Sequence, residues 1–212
     1  MATIFFDLDG TLIDSQVGIF RSAAYALERL GHPAPGADVM SGWIGPPMRD
    51  SFATVLDSRD DVEEAMRLYR ARYDREGWRE HTVYAGIGDA VEALRASGFR
   101  LAVVTAKNEP HARRIVEHLP FGADFADVVG ATPDGRLSHK PELIGEALRR
   151  LSLPPHGIAM VGDRRMDMDG ARRYGLRGIG VLWGFGDAAE LRDAGAGALV
   201  AHPRELPGLF AA

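Results

Sequence analysis

The chain of 212 residues has no cysteine, only two lysines and no long apolar run. Without cysteine, disulfide bridges and thiolate metal ligands are excluded. A bilayer span needs about 20 consecutive apolar residues, so no membrane segment is predicted. The N-terminus also lacks the basic and apolar regions of a secretory signal. These absences predict a cytoplasmic protein that does not bind membranes.

A positive charge field is also missing. The formal net charge is −5 and the isoelectric point is about 5.8, which argues against binding to a nucleic acid polymer. Hydrophobic residues make up 46% of the chain, so a packed core is expected. The length suits one large domain or a domain with a small insertion. We expect a monomer or a small homo-oligomer.

Predicted strands and helices alternate from Tyr84 onward. The predicted strands are 100–104, 127–130, 158–161 and 179–182, and the helices are 87–97, 110–118, 141–151 and 168–174. This alternation is typical of βαβ units with a parallel sheet. Together with an apolar strand at 3–6, it predicts an α/β fold with a doubly wound, Rossmann-like parallel sheet.

Helices and loops, with no strand, are predicted between residues 15 and 80. Apolar residues recur at helical spacing around Ala23 and again around Ala65. We therefore expect a small α-helical cap domain at 15–80, inserted into an α/β core made of 1–14 and 81–212.

Two carboxylates follow the first predicted strand, in the sequence Asp7-Leu8-Asp9-Gly10-Thr11. Gly10 breaks the apolar pattern, so both acids lie where the strand ends. In an open α/β sheet, ligands bind outside the carboxyl ends of the strands. Two close carboxylates repel, and a cation or a raised pKa relieves the repulsion.

Other polar groups follow the other predicted strands. Thr105 ends the second strand, with Ala106 and Lys107 next in the chain, and Asp163 and Asp167 follow the strand at 158–161. Lys140 stands before the predicted helix at 141–151. These groups should converge on one edge of the sheet, because parallel strands share their carboxyl edge.

This set fits the needs of phosphoryl transfer. Oxygen ligands suit Mg²⁺, which bridges carboxylates and a substrate phosphate. One carboxylate can attack phosphorus and another can move the proton of the leaving group. Of 25 basic residues only Lys107 and Lys140 are lysine, so both are candidates for positions where the planar guanidinium of arginine cannot replace a point charge.

These residues form four motifs along the chain: Asp7-Leu8-Asp9-Gly10-Thr11, Thr105, Lys140, and Asp163 with Asp167. Their order and spacing resemble those of haloacid dehalogenase superfamily phosphatases with a helical cap. Finer likeness, in Ile44-Gly45-Pro46-Pro47 and Gly162-Asp163-Arg164, is to phosphoglycolate phosphatase-like and 5′-nucleotidase-like members. The resemblance implies that Asp7 is the nucleophile and Asp9 the general acid/base. Thr105 would bind the phosphoryl group, and Lys140 would neutralise phosphate and nucleophile.

The resemblance also implies a Mg²⁺ cofactor. The expected metal ligands are Asp7, Asp9 through its main-chain oxygen, Asp163 and Asp167. The expected phosphate- and substrate-binding residues are Leu8, Asp9, Thr105, Ala106, Lys107 and Lys140, with Arg49 as a candidate anion contact in the cap. Ala106 departs from the family pattern, because many relatives carry a polar residue there.

The function predicted is Mg²⁺-dependent hydrolysis of a small phosphate monoester, phosphoglycolate-like or a nucleoside monophosphate, through an aspartyl-phosphate. Two alternatives remain open: a phosphomutase on the same scaffold, and a regulatory binding module without turnover. Release of inorganic phosphate separates the hydrolase from the phosphomutase, and turnover of p-nitrophenyl phosphate with and without Mg²⁺ tests for the module without turnover. We expect the cap turn Gly42–Pro47, with Ile44 and Arg49, to face the phosphate and set specificity.

Overall fold

The structure is a computed structural model that describes residues 2–210. In chain order its elements are β1 (Thr3–Phe6), β2 (Ile13–Asp14), α1 (Gln16–Arg29), α2 (Ala37–Ser41), α3 (Met48–Phe52), α4 (Arg59–Arg75), β3 (Thr82–Val83), α5 (Ile87–Ala96), β4 (Arg100–Asn108), α6 (Glu109–His118), β5 (Phe125–Ala131), α7 (Lys140–Arg150), β6 (Ile158–Gly162), α8 (Arg165–Arg173), β7 (Arg177–Val181), α9 (Ala188–Asp193) and β8 (Ala198–Val200).

Six strands form one parallel sheet in the order β5-β4-β1-β6-β7-β8. All four residues of β1 are buried, between β4 on one side and β6 on the other. Helices connect the successive strands, as parallel pairing requires. The predicted doubly wound α/β fold is therefore confirmed. Both α9 and β8 were absent from the prediction.

Helices α1 to α4 lie between β2 and β3, which pair antiparallel through Ile13 with Val83 and Asp14 with Thr82. We call residues 15–80 the helical insertion. Helix α4 begins after Ser58, whose hydroxyl accepts from the Asp61 amide at 3.1 Å and satisfies one free N–H of the first turn. Among residues 2–210, no helix combines the length and apolar composition that a bilayer crossing needs.

Apolar faces hold α1 and α4 together. Their buried residues recur at helical spacing: Ile19, Ala23 and Leu27 on α1, and Val62, Ala65, Met66, Tyr69 and Tyr73 on α4. Removing this apolar surface from water stabilises the pair by roughly 25 cal/mol per Å². The rings of Tyr69 and Tyr73 lie on the side of the insertion that faces the sheet edge. The packing of α1 on α4 therefore also positions two aromatic rings near that edge.

Candidate active site

The topology brings the predicted polar residues to one edge of the sheet. Asp7 directly follows β1, Asp163 directly follows β6, and Thr105 lies near the end of β4. Lys140 is the first residue of α7, and Asp167 lies in the first turn of α8. All five are almost completely buried. The convergence expected from the parallel sheet is therefore present.

Three carboxylates form a compact acidic cluster. One oxygen each from Asp7, Asp163 and Asp167 lies within 4.8 Å of the other two. Burial raises the pKa of Asp7 to about 6, although Lys140 acts in the opposite direction. Burial also raises the pKa of Asp163 well above its ordinary value, and the charges of Asp167 and Asp7 add to the effect. The cluster is therefore a set of oxygen ligands that needs a cation to stay ionised.

Lys140 supplies part of that positive charge. Its ammonium nitrogen lies 3.0 Å from Asp7 Oδ1, 2.8 Å from Asp167 Oδ1 and 2.9 Å from the carbonyl oxygen of Val104. The contact with Val104 is a hydrogen bond and the contacts with the two carboxylates are ion pairs; Asp167 Oδ1 is buried and has no hydrogen-bond partner among residues 2–210. Burial favours a lower pKa for Lys140, but Asp167 and Asp7 outweigh it and raise the pKa above the usual value. Lys140 is thus charged and orders the two carboxylates.

Backbone amides also donate to the carboxylates of the cluster. The Leu8 amide donates to Asp7 Oδ1 at 2.8 Å, while the Leu8 side chain is fully buried in the hydrophobic core. The amide of Phe185, in the glycine-rich turn after β7, donates to Asp163 Oδ2 at 2.8 Å. The Phe185 contact was not predicted, because the sequence gives no signal for a backbone donor from that turn.

Gly10 allows the chain to pass close to Asp163. Its φ is +79°, and a Cβ at this position would overlap the Asp163 carboxylate. Glycine adopts this backbone conformation without steric cost. The turn after Asp9 therefore depends on glycine both for its conformation and for the space that the carboxylate occupies.

Asp9 lies outside the acidic cluster and pairs with a lysine. Lys107 Nζ is 2.9 Å from both Asp9 Oδ1 and Asp9 Oδ2, and both side chains are more than 90% buried. The Thr105 hydroxyl accepts from the Lys107 amide at 3.2 Å. The structure thus joins Lys107 directly to the predicted acid/base.

A cavity of about 120 Å³ separates these groups from the helical insertion. The sheet edge lines it with Asp7, Asp9, Thr105, Ala106 and Lys107, and the insertion lines it with residues that include Trp43, Gly45, Pro46, Pro47, Met48, Arg49, Met66, Tyr69, Arg70 and Tyr73. Its wall thus combines apolar and aromatic residues with a few charged ones on the insertion side, and polar and charged residues with a few small ones on the core side.

Ile44 and Arg49 were both expected to face the phosphate, but the structure places them differently. Ile44 does not line the cavity; its side chain is fully buried in the hydrophobic core, and its carbonyl oxygen accepts from Arg164. The expectation that Ile44 faces the phosphate is therefore wrong. Arg49 does line the cavity, and its guanidinium pairs with Glu63 of α4.

Comparison with known proteins supports one family. The model of the haloacid dehalogenase-like hydrolase family matches residues 4–181. A solved structure of a phosphatase from Clostridium acetobutylicum, itself identified by prediction, superposes with a TM-score of 0.94, at 33% identity over 99% of this chain and 98% of that one.

Three curated relatives carry different names. A tyrosine-protein kinase, PtkA, from Mycobacterium tuberculosis is 39% identical over 97% of this chain and 70% of its own length. A 5′-nucleotidase from Pseudomonas aeruginosa is 40% identical over 89% of this chain and 86% of its own length. A phosphoglycolate phosphatase from Salmonella typhimurium is 30% identical over 89% and 84%.

Proposed function

This chain belongs to the haloacid dehalogenase-like hydrolase family, and from that premise we propose that it is a Mg²⁺-dependent phosphatase of small phosphate monoesters. One observation carries the proposal: the buried cluster of Asp7, Asp163 and Asp167, which Lys140 orders. Only Asp7 of the three also lines the cavity. A phosphoryl group bound in the cavity would therefore contact Asp7, while Asp163 and Asp167 would lie outside the cavity lining.

The cluster has the chemistry of a Mg²⁺ site. Three carboxylates face one ammonium group, so the site carries excess negative charge away from water, which is costly without a further cation. Hard oxygen donors are the ligands that Mg²⁺ prefers. We assign the ion to Asp7, Asp163, Asp167 and the main-chain oxygen of Asp9. When bound, the ion would supply positive charge beside the phosphoryl oxygens.

Asp7 is the proposed nucleophile. Lys140 and the Leu8 amide both contact its Oδ1, which leaves Oδ2 to attack phosphorus. The new bond from Oδ2 to phosphorus forms as the ester bond to the leaving oxygen breaks, and the leaving oxygen takes a proton from Asp9. The product of this half-reaction is an alcohol and an aspartyl-phosphate on Asp7.

Water completes the cycle. Asp9 takes a proton from a water molecule, the water oxygen attacks phosphorus, and the bond to Asp7 breaks to release inorganic phosphate. Thr105 would hold a phosphoryl oxygen during both steps. We propose that the helical insertion acts as a cap that admits substrate and then excludes bulk water, since its residues form the outer wall of the cavity.

The proposed substrates are small phosphorylated metabolites, phosphoglycolate-like or nucleoside monophosphates. Two relatives named phosphoglycolate phosphatase and 5′-nucleotidase support this class. The test is phosphate release from a panel of such esters with Mg²⁺ or with excess EDTA, using Asp7→Asn as the inactive control. Release that is equal in EDTA, or equal in Asp7→Asn, would contradict the proposal.

A second candidate is transfer of a phosphoryl group to a protein tyrosine. The observation that favours it is the 39% identity with a tyrosine-protein kinase across 97% of this chain. Incubation with γ-labelled ATP separates the two. A phosphatase gives labelled inorganic phosphate or no reaction, whereas a kinase gives label on tyrosine that survives acid.

A further inference from the structure

Lys107 connects the predicted acid/base to the helical insertion. Its nitrogen lies 2.9 Å from both oxygens of Asp9 and 4.8 Å from the ring centroid of Tyr73. Asp9 and Lys107 belong to the core, whereas Tyr73 belongs to α4 of the insertion. The three side chains therefore form a chain of contacts across the cavity wall.

The Lys107 side chain is buried, and its ammonium is paired with Asp9. Only 6% of its side chain is exposed, and the two Asp9 oxygens share its charge. An ammonium near the face of an aromatic ring is attracted to it, more strongly when water is excluded. The sequence predicts that Lys107 contacts the phosphate or the substrate, whereas in the structure its ammonium pairs with the Asp9 carboxylate.

The ring of Tyr73, and not its hydroxyl, makes the contact. The ring stacks on Tyr69 at 5.5 Å with an interplanar angle of 17°, and His111 packs on it at 5.0 Å. Its hydroxyl is buried and has no hydrogen-bond partner among residues 2–210. A buried unpaired hydroxyl is unfavourable. The favourable contacts of Tyr73 therefore come from its aromatic ring.

We propose that Lys107 is a positioning residue for Asp9 and that Tyr73 holds Lys107 in place when the insertion is packed on the core. Lys107 fixes the direction of the Asp9 side chain, with one Asp9 oxygen on the ammonium and the other carrying the proton that passes to the leaving oxygen. Opening the insertion removes the ring and frees the lysine, so the acid/base is assembled only over an enclosed substrate. This inference rests on the proposed phosphatase function.

A double-mutant cycle tests the first part. Asp9→Asn, Lys107→Met and the double variant are compared with wild type for kcat and KM on an alkyl phosphate and an aryl phosphate. Because residues that act as one unit are not additive, the double variant should be less than about threefold slower than Asp9→Asn. Lys107→Met alone should lower kcat by about tenfold or more on the alkyl ester, with KM little changed.

The leaving group provides an independent readout. Aryl phosphates need less protonation of the leaving oxygen, so Lys107→Met should slow the aryl ester less than the alkyl ester. If Lys107 instead bound the phosphoryl group, KM would rise for both esters and the two losses in the cycle would multiply. That pattern would overturn the inference while leaving the phosphatase proposal intact. An inactive wild type would overturn both.

Substitutions at Tyr73 test the second part. Tyr73→Phe keeps the ring and removes the unpaired hydroxyl, whereas Tyr73→Leu removes the ring. We expect kcat on the alkyl ester to be at least about fivefold lower in Tyr73→Leu than in Tyr73→Phe, because only the ring attracts the ammonium. Arg67→Met, an exposed change on the same helix, is the control and should match wild type. Equal losses in both Tyr73 variants, with equal thermal stability, would refute the role of the ring.

Discussion

Replacing Asp7 by asparagine removes one negative charge from the buried cluster, and we expect the variant to be more stable although it is inactive. The substitution is close to isosteric. The Leu8 amide and the Lys140 ammonium both contact Oδ1 of Asp7, and an asparagine oxygen at the same place accepts from both. Lys140 also keeps its contact with Asp167. The variant therefore loses a charge but few contacts.

The pKa of Asp7 gives the size and sign of the effect. It is about 6 in the folded protein, against 3.8 ordinarily, and a difference of about 2 units corresponds to about 3 kcal/mol. Because the folded state holds the proton more tightly, stability falls as pH rises from about 4 to about 6 and then stays level. Asparagine does not titrate, so the stabilisation in Asp7→Asn should appear over that range and reach up to about 3 kcal/mol above it.

Thermal and denaturant unfolding in EDTA at pH 4 and pH 7.5 measure this difference. For a chain of this length, about 3 kcal/mol corresponds to a rise in Tm of roughly 6–12 °C. The matched control is Asp169→Asn on α8, whose carboxylate is partly exposed and pairs with the exposed Arg172; its effect should stay within about 0.5 kcal/mol. A variant Asp7→Asn that is no more stable than wild type at pH 7.5, or equally stabilised at both pH values, would refute the reasoning.

Three further results are expected. Turnover should vanish in excess EDTA, return with Mg²⁺ and be suppressed by Ca²⁺, which takes more ligands at longer distances; phosphate release with each ion checks this. Lys140→Arg should lose nearly as much kcat as Lys140→Ala, because three fixed acceptors surround a point charge, whereas Lys107→Arg should lose less. Gly10→Ala should lower both Tm and kcat, since its Cβ would overlap the Asp163 carboxylate.

The position of the site could be predicted from the sequence because it follows from topology. Each short apolar run ends at a polar residue, and parallel strands place those ends together. Asp7, Thr105 and Asp163 therefore converge independently of their side-chain conformations. By contrast, β8 has only three residues and α9 has one buried residue, Leu191, so neither gives a periodic pattern long enough to recognise.

Side-chain partners could not be predicted in the same way. The pairing of Lys107 with Asp9 joins residues 98 positions apart and depends on the direction of the lysine near the end of β4. Ile44 and its neighbours Trp43 and Gly45 lie in one turn, yet only the neighbours line the cavity. The path of that turn depends on packing against the core, including the contact from Arg164, which no local sequence pattern encodes.

Trapping of the covalent intermediate tests the central claim most directly. Enzyme mixed with an active phosphate ester and Mg²⁺ is quenched within milliseconds in borohydride, which reduces an acyl phosphate to an alcohol, and the peptides are analysed by mass spectrometry. We predict that Asp7 alone is converted to homoserine, only when ester and Mg²⁺ are both present. Turnover with no modified Asp7, or with the modification on another residue, would contradict the account.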